Sequence, residues 1–132
     1  MKKIRFLVFL LVIFMARPVH AMAESPGKAP DVKKIRCTCY HSGNFTASGD
    51  YPYQGVAAYR PEDIGKTAYL WEIGEDGEVG NFIGQYDILD TGGNAVKKGY
   101  VFDVWRMSEE DCRAFSKEHG DYVYIRIEGE NE

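Results

Sequence analysis

The stretch "DTGGNAVKKGYVFDVW", residues 90–105, places two aspartates on either side of a loop that contains glycine and lysine. Asp90 stands directly before Thr91 and a glycine pair, and Asp103 lies inside the apolar run "VFDVW". This run predicts a strand, and because side chains alternate along a strand, Asp103 and Trp105 share a face. A carboxyl group against an aromatic ring is poorly solvated, which raises its pKa and suits it to general acid catalysis.

Both aspartates also have a structural interpretation. An aspartate before a glycine turn often accepts hydrogen bonds within its own loop, which would make Asp90 a loop cap. Asp103 would then be a hydrogen-bond anchor for the same loop. The glycine pair lets the backbone approach a ligand closely or adopt a positive φ. Spacing alone leaves the catalytic and the structural interpretations open.

The first 23 residues have the pattern of a secretory signal peptide. Three basic residues precede an almost unbroken apolar run over residues 6–15, and small residues suited to cleavage follow. Because the run is too short to span a bilayer, we expect cleavage, a secreted protein and no stable membrane association afterwards. An uncleaved membrane anchor is the alternative. Residues 24–33 are predicted to be a linker and residues 34–128 one domain.

The charge of the chain restricts its partners. The formal net charge is −4, and loss of the four basic residues among the first 23 leaves 20 acidic and 12 basic residues, a charge of −8. Nucleic-acid binding requires a basic surface, so we expect no nucleic-acid partner. The sequence contains no cofactor motif, and we expect no cofactor.

The chain has three cysteines, Cys37, Cys39 and Cys112. Export permits disulfides, so one of the first two is expected to pair with Cys112, and the choice stays open. A zinc site formed by the three cysteines and His41 is a weaker alternative, because no CxxC spacing supports it. The favoured prediction is one disulfide, one free thiol and no bound metal.

Short strand-like segments dominate the rest of the chain. Alternating, β-branched or aromatic runs predict strands at residues 34–40, 56–59, 67–73, 81–89, 100–105 and 121–127. Asp76-Gly77 predicts a hairpin turn, and Gly84 inside the fourth run suggests a bulge or a tight bend. Residues 41–55 predict a long loop, whose Tyr51 and Tyr53 either line a ligand groove or cover the edge of the core.

One helix is predicted at residues 109–119, because Ser108 is a good N-cap and Gly120 a good terminating residue. Six short strands and one short helix indicate a mostly β fold, a small barrel.

Residues 35–128 resemble the 3D domain, a family named for three aspartates. The motifs "TASG" (46–49), "GVAA" (55–58), "IGKTAYL" (64–70), "DTGG" (90–93) and "FDVW" (102–105) occur in the order of that family. The family is a double-psi β-barrel, found also in lytic transglycosylases and more distantly similar to RlpA-like proteins, expansins and barwin. The resemblance implies a six-stranded double-psi β-barrel in a secreted bacterial protein, extracellular or associated with the cell wall.

Lytic transglycosylases cleave the bond between N-acetylmuramic acid and N-acetylglucosamine without adding water. One acid protonates the glycosidic oxygen and then accepts the proton of the sugar's own 6-hydroxyl, which leaves a 1,6-anhydro end. The resemblance implies a monomer that acts on peptidoglycan glycan strands, with Asp103 as acid/base and Asp90 orienting or tuning it. Candidate substrate-binding residues are Thr46, Ser48, Tyr59, Thr91, Gly92 and Trp105.

The sequence departs from the family pattern at two places. The first family aspartate would fall at Tyr59, and the loop between the other two is enlarged by Asn94 and a lysine pair. These departures keep a second hypothesis open, a non-catalytic double-psi barrel that binds cell-wall glycan or a protein partner. Lys97 and Lys98 are interpreted as solvated loop charges.

A third possibility is a hydrolase of other polysaccharides, which needs a second carboxylate across the cleft. The candidates for that carboxylate are Asp50, Asp63 and Asp87.

Overall fold

The computed structural model describes residues 31–129. The predicted signal peptide, residues 1–23, lies outside the described residues, as does the predicted linker up to residue 30. The elements are β1 (Lys33–Tyr40), β2 (Val56–Ala58), β3 (Thr67–Ile73), β4 (Val79–Asp90), α1 (Asn94–Lys97), β5 (Val101–Trp105), α2 (Glu109–His119) and β6 (Tyr122–Ile127). A short 3₁₀ helix, Pro61–Asp63, joins β2 to β3. Within residues 31–129, no helix is both long and apolar enough to cross a membrane.

The six strands close into a barrel in the order β1-β5-β2-β4-β3-β6, with β6 pairing back to β1. The pairs β1–β5 and β2–β4 are parallel, and the remaining pairs are antiparallel. Because the sheet is closed, the barrel has no unpaired edge strand. The predicted mostly β fold with a small six-stranded barrel is confirmed.

The barrel interior is filled by alternating inward residues of every strand. The ring of Phe102 lies at the centre, 5.4 Å from the ring of Tyr59 and 6.3 Å from that of Tyr86. Tyr59 is 0% exposed, and its hydroxyl donates to the carbonyl of Gly99 at 3.3 Å. The Tyr59 side chain is therefore part of the core, and its role in substrate binding stays a prediction.

Two features of the hairpin between β3 and β4 agree with the predictions made from the sequence. The turn runs through Gly77, whose φ of 82° requires glycine, and the Asp76 side chain accepts a hydrogen bond from the amide of Glu78. The register of the two strands shifts next to Gly84, where a bulge was predicted.

The predicted helix and one unpredicted helix flank β5. In α2, the Ser108 hydroxyl accepts a hydrogen bond from the amide of Asp111 at 3.1 Å, and Phe115 packs into the barrel core. The four-residue α1 lies in a segment predicted to be loop. It is too short to show helical periodicity, and it is held by Val96, which packs against Gly92.

A disulfide between Cys39 and Cys112 ties α2 to β1. The prediction of one disulfide is confirmed, and the structure identifies Cys39 as the partner, with a Cα–Cα distance of 5.3 Å. Cys37 is a buried free thiol, and burial raises its pKa to about 12. The zinc alternative is wrong, because two of its proposed ligands are bonded to each other.

Candidate active site

The two aspartates face outward from the barrel, beside polar residues of β1. On β1, Cys37 is 3% exposed and points into the core, so Thr38 and Tyr40 lie on the outer face. On β5, Asp103 lies between two fully buried neighbours and faces outward. Thr38 is the register partner of Asp103, which places the two side chains next to each other.

A β-bulge brings Asp90 to the same face. Ala57 of β2 lies opposite Ile88 of β4, but the next residue, Ala58, lies opposite Asp90, so Leu89 is an extra residue. Without the bulge, alternation from the buried Ile88 would direct Asp90 inward. Bulges redirect side chains in this way next to functional sites.

Ala58 lies between the two aspartates. It is the register partner of Asp103 on one side and of Asp90 on the other. Neighbouring strands are about 4.8 Å apart, so the two aspartate backbones are roughly 10 Å apart across β2. Because the side chain of Ala58 is small, it leaves space between the two carboxyl groups on this face of the barrel.

Asp90 accepts hydrogen bonds on both of its carboxylate oxygens. Its Oδ1 accepts from the amides of Ala47 and Thr91, each at 2.9 Å, and its Oδ2 accepts from the hydroxyl of Tyr40 at 2.8 Å. Three donors from three different parts of the chain therefore converge on this carboxylate. Asp90 thus anchors the loop of residues 41–55 to the end of β4.

Asp103 has a different environment. Thr38 Oγ1 donates to its Oδ1 at 2.9 Å, and its Oδ2 makes no hydrogen bond with any residue between 31 and 129. Partial burial raises the pKa of Asp103 from the ordinary 3.8 to about 6; the Thr38 hydrogen bond opposes this rise and the charge of Asp90 adds to it. Asp103 can therefore carry a proton at mildly acidic pH and present an oxygen that the fold does not use.

Tyr40 and Thr38 belong to this site, although sequence reasoning did not select them. The pKa of Tyr40 is raised, by burial first and then by its hydrogen bond to Asp90 and the charges of both aspartates. The tyrosine is therefore a neutral donor. The signal for both residues was the alternation in "KIRCTCY", which places them opposite the cysteines.

Thr46 and Ser48 brace the loop beside Asp90. Their hydroxyl groups are 2.8 Å apart, Thr46 Oγ1 donates to the carbonyl of Asp50 at 3.1 Å, and Ser48 Oγ donates to the Asp50 carboxylate at 2.8 Å. The amide of Ser48 also donates to the carbonyl of Leu89, the bulge residue, at 3.0 Å. These contacts give the two residues a supporting role.

The other predicted substrate-binding residues also make contacts within the fold. Trp105 is 6% exposed, and its indole nitrogen donates to the carbonyl of Ser42 at 3.0 Å. Gly92 lies against Val96, which a Cβ atom would meet at 3.2 Å. The hydroxyl oxygen of Thr91 is buried without a hydrogen-bond partner in the described chain.

The same loop carries exposed aromatic rings. Phe45 and Tyr51 are 60% and 68% exposed, and their ring centroids are 4.2 Å apart. Tyr51 therefore does not cover the edge of the core, which was one of its two predicted roles. The hydroxyl of Tyr53 donates to the carboxylate of Asp87 at 2.7 Å.

Asp63 does not belong to the site. It is 0% exposed, and Arg60 Nε and Lys66 Nζ lie 2.5 Å and 2.9 Å from its oxygens. Burial alone would raise its pKa, but the hydrogen bonds and charges of Arg60 and Lys66 outweigh burial and lower it. Asp63 is therefore a structural ion pair and cannot be the second carboxylate of a hydrolase. Among the residues the structure describes, no group of three or more acidic, histidine or cysteine side chains could hold a metal ion.

Comparison with protein-family models and with characterised proteins gave no match. Membership of the 3D domain family therefore stays a prediction. Among solved structures, the chain is similar to the E. coli lytic transglycosylase MltA, an aspartate-to-alanine variant in an apo form, with 18% identity and a TM-score of 0.46. The alignment covers 65% of this chain and only 27% of the MltA chain. At this level of similarity, the assignment of the site rests on its own geometry.

Proposed function

We propose that this protein is a secreted lytic transglycosylase that cleaves peptidoglycan glycan strands, with Asp103 as its single acid/base. The observation that carries the proposal is the environment of Asp103. Its pKa is raised to about 6, and one of its oxygens has no hydrogen bond within residues 31–129. A carboxylic acid that keeps its proton at mildly acidic pH can protonate the leaving group, as the proposed reaction requires.

The reaction needs one carboxyl group acting twice. Protonated Asp103 donates its proton to the glycosidic oxygen as the bond from that oxygen to C1 breaks. The 6-hydroxyl oxygen of the same sugar then bonds to C1, and its proton passes to the Asp103 carboxylate. The acid is regenerated, no water is consumed, and the product is a 1,6-anhydro end.

The arrangement around Asp103 favours this chemistry over hydrolysis. Hydrolysis by ordinary glycosidases uses a second carboxylate as nucleophile or base. Asp90 is the neighbouring carboxylate, but both of its oxygens accept hydrogen bonds. Its role in the proposed mechanism is electrostatic, because its charge helps to keep Asp103 protonated.

The loop of residues 41–55 supports a carbohydrate substrate. It presents the exposed rings of Phe45 and Tyr51 on a backbone fixed to Asp90, Leu89 and Trp105. Exposed aromatic surface held in a rigid loop is typical of binding sites. The predicted signal peptide and the 3D-domain motifs support export and a cell-wall glycan.

A non-catalytic glycan-binding barrel is the second candidate function. The observation in its favour is that Asp90 serves as a loop anchor, while Tyr59 replaces the first family aspartate and is buried. A binding protein would need the aromatic loop and no acid.

The two functions differ in one product. The purified protein would be incubated with peptidoglycan, and soluble fragments examined by mass spectrometry for 1,6-anhydro muropeptides. We expect these from the wild type and from Asp121→Asn, an exposed control, but not from Asp103→Asn. If the wild type binds peptidoglycan and releases no anhydro product, the binding function is correct and the enzyme proposal fails.

A further inference from the structure

The outer face of β1 leads from the aspartate site into a groove of about 560 Å³. The groove lies where β1 is flanked by the start of β5 and the start of β6, and Lys34, Arg36, Tyr100 and Tyr122 are among its lining residues. Nothing in the proposed reaction requires these four side chains. Their placement raises the question of what the groove binds.

Strand register relates the groove to Asp103. Arg36 pairs with Val101 on β5 and with Tyr122 on β6, and the next outward position on β1 is Thr38, the partner of Asp103. A strand rises about 3.3 Å per residue, so Arg36 lies roughly 7 Å and Lys34 roughly 13 Å along β1 from Thr38. The groove and the aspartate site are therefore successive parts of one surface.

The groove is basic in an acidic protein. Lys34 and Arg36 line it, and none of its lining residues between 31 and 129 is acidic, whereas the chain as a whole has 20 acidic and 16 basic residues. Lys34 Nζ lies 5.0 Å from the ring centre of Tyr122, and Tyr100 is 69% exposed. A local positive surface of this kind attracts an anionic ligand.

Several other cations have polar partners among residues 31–129, and Arg36 does not. Lys66 binds the buried Asp63, Arg106 donates to the hydroxyl of Tyr86, and Arg113 pairs with Glu109. The exposed guanidinium of Arg36, by contrast, makes no ion pair or hydrogen bond with residues 31–129. A guanidinium presents two parallel donors that match a carboxylate.

We propose that this groove is a subsite for carboxylate groups carried by the polymer whose glycosidic bond lies at Asp103. The identity of that polymer rests on the proposed function, because the peptide stems of peptidoglycan carry carboxylates. Arg36 binds a stem carboxylate in bidentate fashion, Lys34 adds positive charge, and the tyrosines cover the apolar part of the stem. The groove thereby sets which sugar of the strand faces Asp103.

Binding measurements on two probes test this inference. All proteins would carry Asp103→Asn, so that neither probe is cleaved. The probes are a tetrasaccharide muropeptide with its peptide stems and chitotetraose, which has no carboxylate. The test variant is Lys34→Gln/Arg36→Gln, and the control is Arg113→Gln/Lys117→Gln, which removes the same charge from exposed positions of α2.

We expect the parent to bind the muropeptide more tightly than chitotetraose by roughly three- to tenfold, an advantage that salt reduces. The groove variant should lose this advantage and keep its affinity for chitotetraose, while the control keeps both. The inference is overturned if the parent shows no preference, if the groove variant retains it, or if the control loses it equally. A groove-dependent preference in a wild type that releases no anhydro product would instead refute only the enzyme proposal.

Discussion

Asp63 and Asp103 are both at least partly buried, but their surroundings shift the pKa of the two carboxyl groups in opposite directions. Asp63 is completely buried between two cations, and its pKa is lowered. Asp103 is partly buried with one hydroxyl donor and a second carboxylate nearby, and its pKa is raised to about 6. The first arrangement stabilises a charge, while the second disfavours one.

The difference separates structural from reactive carboxylates. Burial of an unpaired charge is costly in free energy, so a buried carboxylate with a purely structural role is normally paired with a cation. Within residues 31–129, Asp103 has neither a paired cation nor a full set of donors. Strongly perturbed, uncompensated groups at a surface are typical of functional sites.

Removal of the Asp103 acid should have the largest effect. Asp103→Asn is nearly isosteric and can still accept the Thr38 hydrogen bond, but it cannot donate a proton and take it back. We expect release of anhydro muropeptides to fall by about 10²- to 10⁴-fold. Product formation over time, measured by mass spectrometry beside a circular dichroism spectrum, checks this. Unchanged activity would show that Asp103 is not the acid.

Removal of the Asp63 charge should affect stability instead. Asp63→Asn leaves Arg60 and Lys66 without their buried partner, and we expect a loss of about 2 to 4 kcal/mol in the free energy of unfolding. Because the pKa of Asp63 is lowered in the fold, its stabilisation is present above the ordinary value of 3.8 and is lost as the pH falls through the lowered pKa. Urea unfolding at neutral and at acidic pH measures both effects. A difference that persists at low pH would contradict the ion-pair account.

The Asp103→Asn variant should change stability in the opposite direction. The raised pKa means that the folded state prefers the protonated carboxyl, so the wild type loses stability as the pH rises from 3.8 to about 6. We expect the variant to be more stable by about 1 kcal/mol above pH 7, after allowance for solvent screening. The gain should disappear below about pH 4. Thermal unfolding of both proteins across this range tests the sign.

Asp90→Asn should move the pH dependence of cleavage. The charge of Asp90 raises the pKa of Asp103, so its removal lowers that pKa and shifts the fall in activity to lower pH. At pH values just above 6, we expect a rate roughly two- to fivefold below that of the wild type. The asparagine keeps an acceptor for the Ala47 and Thr91 amides. If the midpoint of the pH–rate profile is the same in the variant and the wild type, Asp90 does not have this electrostatic role.

Thr38→Val should give the smallest change and the opposite sign. The Thr38 hydrogen bond stabilises the ionised form of Asp103, so its loss raises the pKa and shifts the fall in activity to higher pH. Valine preserves the shape and outward position of threonine on β1. Steady-state rates measured over the same buffers as for Asp90→Asn would show the two midpoints moving apart.

Much of the barrel could be predicted from local patterns. Strand alternation predicted that Asp103 and Trp105 share a face, and the cap at Ser108 predicted the helix that ends before Gly120. The bulge at Leu89 was not predictable, because it depends on how β4 pairs with β2, and a one-residue shift reverses the face of Asp90. The same limit applies to Tyr59, whose position after a short strand does not reveal that it points into the core.

The hydrogen-bond partners of the site residues could not be predicted from local sequence patterns either. Tyr40 donates to Asp90 across a sequence separation of 50 residues, and Thr38 donates to Asp103 across 65. Such pairs follow from the order of strands around the barrel. The choice of Cys39 over Cys37 in the disulfide depends likewise on where α2 lies.

A direct measurement of the Asp103 protonation state tests the central claim. The side-chain carboxyl carbons of the aspartates would be followed by NMR in the wild type from about pH 3 to pH 8, with Asp103→Asn to assign the resonance. We predict a midpoint at about pH 6 for Asp103, and one below the ordinary 3.8 for Asp63. A midpoint for Asp103 at or below 3.8 would contradict the account, because the group would then be ionised wherever it has to act as an acid.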